Sequence, residues 1–164
     1  MRKTALLAVA LATLYGCATT AVYDQHEELL ELTGEMLFEG SNTLQMPANL
    51  NLDQLAKATG IEKSKIKTVG IAEATLEMGT EDAAITESLL LQVVSNNHSL
   101  LTIGTLSPLP EGTRFKLSLA EKMNLVPYLN DEGTTWVLDL NISEDLMDDM
   151  TVAGKLRFSI HHNE

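Results

Sequence analysis

Four carboxylates crowd residues 144–149: Glu144, Asp145, Asp148 and Asp149 in Ser-Glu-Asp-Leu-Met-Asp-Asp-Met, the densest charge in the chain. Oxygen-rich loops bind calcium, and extracellular calcium fills weak sites, so this segment is a candidate metal loop. The Asp-x-Asp-x-Asp-Gly spacing is missing, and a solvated turn with Ser143 capping a helical corner accounts for the same residues. The four histidines, His26, His98, His161 and His162, show no paired-ligand spacing, and the last two fall on opposite faces of any strand. No Gly-x-Ser-x-Gly elbow is present, and the serines are scattered among turns and strand faces. A nucleophilic triad would have to be assembled in space. No cofactor is implied, and the chain reads as non-enzymatic.

The remaining reactive side chain is Cys17, the single cysteine. It follows a leader with Arg2 and Lys3 at its start and an apolar run from Ala5 to Leu14. That run is roughly a dozen residues, whereas a helix needs about 20 to span a bilayer, so the segment reads as a cleaved signal peptide. Leu14-Tyr15-Gly16-Cys17 resembles the lipobox of bacterial lipoproteins. The resemblance implies cleavage between Gly16 and Cys17, a diacylglyceryl thioether on Cys17, and acylation of the new amine. Two or three acyl chains anchor stably where one is marginal. In enterobacterial lipoproteins an Asp after the cysteine favours the inner membrane; here that residue is Ala18, which implies the outer membrane.

Removing Arg2 and Lys3 with the leader takes the formal charge from −12 to −14. Such a field opposes nucleic acid and anionic headgroups, which need basic patches, so nucleic-acid binding is excluded. No cysteine follows Cys17, so the core must hold by packing without an internal disulfide. About 150 residues suit one domain.

The expected organisation is a signal peptide over 1–16, a lipidated N-terminus and tether over 17–33, and a β-sandwich over 34–164. In the tether, Asp24 and Glu27 resemble a capping arrangement, and Leu29, Leu30 and Leu32 would edge a short helix; a flexible stalk is the other reading. From Gly34 onward the apolar residues alternate with a period of two, the mark of half-buried strands. Phe115, Leu117 and Leu119 share one face, as do Trp136, Leu138 and Leu140, and Val152, Leu156, Phe158 and Ile160. Ile66 to Met78 changes parity between Ile71 and Ala74, which predicts a bulge near Ala72. Further strands are expected at 35–39, 43–46, 85–94 and 100–106.

Asn51 followed by Gln54, with Gly60 as a stop, predicts a capped helix over 51–59, and Met123 to Leu129 offers one turn more. The sum is an all-β, antiparallel, immunoglobulin-like sandwich of about seven or eight strands with one or two short helices and Greek-key connections. In this outline the chain is similar to small β-sandwich lipoproteins of bacterial envelopes.

The expected role is therefore a non-catalytic envelope lipoprotein, held in the membrane through acyl chains on Cys17 and serving as a structural or protein-interaction module. A binding module for a small apolar ligand or glycan is the alternative, with an envelope hydrolase third. Tyr23 and Tyr128 would be the stacking platforms for a sugar, Trp136 a core anchor, and the methionines core filling.

Overall fold

The computed structural model describes residues 22–163, with side chains from Gln25. Leu14 to Cys17, Ala18 and the Tyr23 side chain therefore lie outside the described residues.

The alternation resolves into nine described strands: β1 (Val22–Gly34), β2 (Gly40–Pro47), β3 (Ile66–Glu77), β4 (Thr86–Val94), β5 (Leu101–Leu106), β6 (Arg114–Lys116), β7 (Ser118–Leu119), β8 (Thr135–Ile142) and β9 (Met150–His162). They form two antiparallel sheets, ordered β1-β9-β3-β6 and β2-β8-β4-β5-β7. β6 and β7 are one segment that changes sheets at Leu117, whose N–H turns to the Ala74 carbonyl at 3.0 Å. Counting it once, the chain pairs as a folded ribbon, β1 with β9, β2 with β8, β3 with β6 and β4 with β5. Rolling that ribbon adds the contacts β3·β9 and β4·β8, which is the path of a jelly roll. The expected two-sheet antiparallel sandwich is present, and its strand order is this one rather than that of an immunoglobulin domain.

The sequence boundary at residue 34 is corrected. Residues 22–34 form β1, an edge strand paired over its whole length with β9, and neither a stalk nor a helix. Residues 35–39 are not a strand; only Leu37 makes an isolated bridge, to Leu146. The register of β3 against β9 slips between Ile71 and Glu73, placing a bulge at Ala72 where the parity switch predicts one.

Helix α1 (Leu52–Thr59) has the predicted capping box: the Gln54 N–H donates to Asn51 Oδ1 and the Asn51 N–H to Gln54 Oε1, both at 2.9 Å. Gly60 ends it at φ +72°, a left-handed position that costs glycine little. Leu52, Leu55 and Ala56 face the core as expected. A 3-10 turn (Lys63–Lys65) follows, and α2 (Thr80–Ile85) and α3 (Val126–Leu129) are short connectors.

Between the sheets, Trp136, Phe115, Phe158 and a shell of leucines are fully buried. Gly154 sits in the row Leu30–Gly154–Leu76, where a Cβ would meet Leu30 Cβ at 3.0 Å; only a residue without a side chain lets its neighbours close over it.

One inward position of β1 carries a charge-bearing group. Glu28 is buried, and neither of its carboxyl oxygens nor the facing Trp136 Nε1 closes a hydrogen bond. Burial raises its pKa above the ordinary 4.5, while the nearby Asn49 N–H, Trp136 Nε1–H and Leu50 N–H draw it only partly back. Between the unfolded value and the folded one, the folded chain thus holds a proton that the unfolded chain releases. Glu28's stabilising contribution is complete below the unfolded value and is lost as pH rises through the folded one. We expect Glu28→Gln to remove that slope and to raise stability near neutral pH, because an amide of nearly the same size has no proton to lose. Denaturant melts from about pH 4 to pH 8 would check it; unchanged pH dependence in the variant would contradict the assignment.

Candidate functional site

The β1·β9 ladder runs from Val22 opposite His162 to Gly34 opposite Met150. Beyond its Gly34 end the chain makes a tip from residues 35–39 and 143–149. Leu37 and Leu146 exchange backbone hydrogen bonds of 3.0 and 2.8 Å across it, and Leu37 turns into the core. Their neighbours turn out: Met36, Phe38 and Met147 are 60, 63 and 74% exposed. The loop is fixed from both sides. The Phe38 N–H donates to Asn42 Oδ1 at 3.1 Å, Asn42 Nδ2 to the Phe38 carbonyl at 2.7 Å, and the Glu39 N–H to Asp145 Oδ1 at 2.8 Å.

The two segments bring six carboxylates to this apolar group, Glu35, Glu39, Glu144, Asp145, Asp148 and Asp149, and no lysine or arginine. Exposed large apolar side chains on a held backbone, ringed by one sign of charge, are the chemistry of a protein-docking surface. Core filling holds for Met78 and Met150, which are buried, and fails for Met36 and Met147.

The acidic loop is not gathered as a metal centre would be. Asp145 spends an oxygen on Glu39, and among the described residues no three acidic, histidine or cysteine side chains are placed to share an ion. Nor does Ser143 cap a helix; its N–H and hydroxyl both donate to the Ile85 carbonyl, at 2.8 and 3.2 Å.

A serine, a histidine and an acid do meet elsewhere. Ser95 Oγ lies 3.1 Å from His98 Nδ1 and donates to Asp131 Oδ2 at 2.7 Å, while Asp131 Oδ2 is 3.3 Å from the same Nδ1. In a triad the imidazole stands between nucleophile and acid and uses both ring nitrogens. Here Ser95 bonds the acid directly and both contacts fall on one nitrogen, so the histidine has no route to activate the hydroxyl. Asp131 also accepts from the Asn97 N–H (2.8 Å), Asn97 Nδ2 (2.6 Å) and the Glu132 N–H (2.9 Å). The Ser95 hydroxyl above all, and then these N–H donors, hold its carboxyl well below the usual range. The cluster fastens the 95–98 turn to the 131–133 turn. Sequence reading missed it because its partners lie in separate turns. Tyr128 completes the fastening, its hydroxyl donating to the Ser99 carbonyl at 2.8 Å and its ring 5.2 Å from His98, which removes it as a free stacking platform.

Of the other histidines, His26 has its ring 6.5 Å from that of Phe158, and His161 and His162 sit at the end of β9.

The outer face of the first sheet carries a shallow groove of about 490 Å³ whose walls are ion pairs. Lys155 meets Glu27 at 2.8 Å and Arg114 meets Glu77 at 2.8 Å, while Glu73 takes Arg157 and, at 3.9 Å, Lys116. Such half-exposed pairs contribute about 0–1 kcal/mol each. The charges pair with one another, although the buried Arg157 Nε closes no hydrogen bond, and Leu29 stands exposed among them.

No family model matches the chain, and no curated protein matches it. Among solved structures it is similar to the empty capsid of turnip yellow mosaic virus, with 15% identity, a TM-score of 0.34, and coverage of 99% of this chain and 92% of that one. It is also similar to Desmodium yellow mottle tymovirus, with 11% identity, a TM-score of 0.33, and coverage of 99% and 96%.

Proposed function

We propose that the chain is a non-catalytic lipoprotein of the cell envelope, anchored through acyl chains on Cys17, on the outer membrane, and presenting the 35–39/143–149 tip to a protein partner. One observation carries the reading: the apolar, acid-rimmed tip lies at the opposite end of the β1 ladder from the end that leads to Cys17. Thirteen strand residues separate the two ends. At about 3.3 Å per residue that is on the order of 40 Å, so an anchored domain standing on its N-terminal end holds the tip away from the lipid. No helix among the described residues is long and apolar enough to cross a membrane.

The second reading, a ligand-binding module, has support only on the outer face, where the groove offers carboxylates and cations to a polar ligand such as a glycan. An apolar ligand between the sheets would compete with Trp136, Phe115 and Phe158 for the same space. The Ser95–His98–Asp131 geometry lends nothing to a hydrolase.

The test is membrane fractionation of the native chain beside Cys17→Ser, with intact mass of the N-terminus. We expect an acylated Cys17 in the membrane fraction and a variant that loses both modification and sedimentation. A soluble, unmodified native chain would overturn the proposal.

A further inference from the structure

We infer that Met36 and Met147 are paired oxidation sites, and that their conversion to sulfoxides by a peroxide releases the tip from its partner; the release rests on the docking reading above. The first ground is access. Seven methionines occur in the chain, and all but Met1 lie among the described residues. Met78 and Met150 are buried, and Met46 and Met123 are half-buried against the core. Two of these covered sulfurs also hold a donor: Met46 Sδ accepts from the Glu31 N–H at 3.2 Å and Met78 Sδ from the Thr86 hydroxyl at 3.6 Å. Of the described methionines, only Met36 and Met147 stand mostly in solvent.

The second ground is convergence. The two residues are more than a hundred positions apart in the chain, yet the antiparallel Leu37–Leu146 bridge makes them the next facing pair, Met36 before Leu37 and Met147 after Leu146. The fold thus brings its two accessible thioethers to one spot, beside Phe38. Met36 holds its place at φ +49°, a left-handed conformation that glycine or asparagine adopts more readily. Glycine would serve the turn better, so the thioether stands there against the local backbone preference.

The third ground is the chemistry of the sulfur. Its lone pair attacks one oxygen of hydrogen peroxide and the O–O bond breaks; the proton on the transferred oxygen passes to the departing hydroxide, which leaves as water. Sulfur gives up two electrons and the peroxide takes them. Hydrogen peroxide is uncharged, so the six carboxylates around the tip do not repel it. The single thiol, Cys17, is consumed by lipid on the anchor reading and does not compete for the oxidant. The product is a polar sulfoxide in place of an apolar thioether, a change that disrupts methionine-rich interfaces. With both converted, Phe38 is the one large apolar side chain left exposed on the tip.

The test uses the full chain in its native membrane, with a photo-crosslinking residue at position 38, treated with hydrogen peroxide while peptide masses are followed in time. We expect sulfoxide to form at Met36 and Met147 at least about tenfold faster than at Met78 and Met150. Crosslinks from position 38 should fall by about tenfold or more and return after treatment with methionine sulfoxide reductases for both epimers. Met46→Leu with Met123→Leu should respond to peroxide in the same way, since both side chains pack on the core. Equal rates at exposed and buried methionines would overturn the assignment of the sites. Crosslinks undiminished with Met36 and Met147 fully oxidised, or protected from peroxide in the Met46→Leu, Met123→Leu chain, would overturn the release. A chain that gives no crosslink from 38 before peroxide is added overturns docking and release together; the untreated sample identifies that case, and the sulfoxide rates still decide the sites.

Discussion

Trp136→Ala should lower the stability of the domain by about 3–5 kcal/mol, the range for deleting a large aromatic side chain from a core that relaxes only in part. The indole is fully buried on β8, a strand of the second sheet hydrogen-bonded on both sides, between Met46 of β2 and Val93 of β4. Its ring lies 6.4 Å from that of Phe158 on β9, tilted by 54°, and its Nε1 faces Glu28 of β1. One side chain thus joins the middle of one sheet to two strands of the other. Trp136→Phe keeps most of that volume and discards the N–H that leans toward Glu28, so its loss should be well under half as large. Urea titrations of both variants measure the difference. A loss below about 1 kcal/mol for the alanine variant would mean that the sheets are not tied together at this point.

Trp136 was legible from sequence, and the reasons it was legible explain what was not. It stands in Thr-Trp-Val-Leu-Asp-Leu-Asn, where alternation and strand agree because the outward positions near its end are polar. The bulge at Ala72 and the box at Asn51 and Gln54 were equally readable, since each is set by a few adjacent residues. β1 defeats the same procedure. In Glu-Glu-Leu-Leu-Glu-Leu the inward place is taken by Glu28 and an outward one by Leu29, so the apolar pattern looks helical. Pairing with β9, more than a hundred residues later, overrides that local preference. The tip and the Ser95–His98–Asp131 fastening failed for a related reason. Each is assembled from two segments far apart in the chain, the tip by the two crossings between sheets and the fastening by two turns that the pairing of β4 with β8 brings side by side.

The tip yields the second large effect. Phe38→Asp with Met147→Asp should abolish partner binding while leaving stability within about 0.5 kcal/mol, because both side chains lie on solvent and neither supports the core. Apolar residues at the centre of an interface cost about 2 kcal/mol or more each when lost, roughly 30-fold in affinity. The carboxylate rim sets the complement: a partner with an apolar contact surrounded by lysines or arginines, whose association weakens as salt rises. A photo-crosslinking residue at position 38 in the native membrane should capture one predominant envelope protein. The same residue at position 29, where Leu29 is exposed beside the ionic groove, should not. The comparison separates the two functional readings. Crosslinks from position 29 with none from 38 would move the binding surface to the groove, where paired charges would have to be broken to admit a ligand. Crosslinks from 38 that survive Met147→Asp would leave that part of the apolar group without a role and shift the attachment toward the rim.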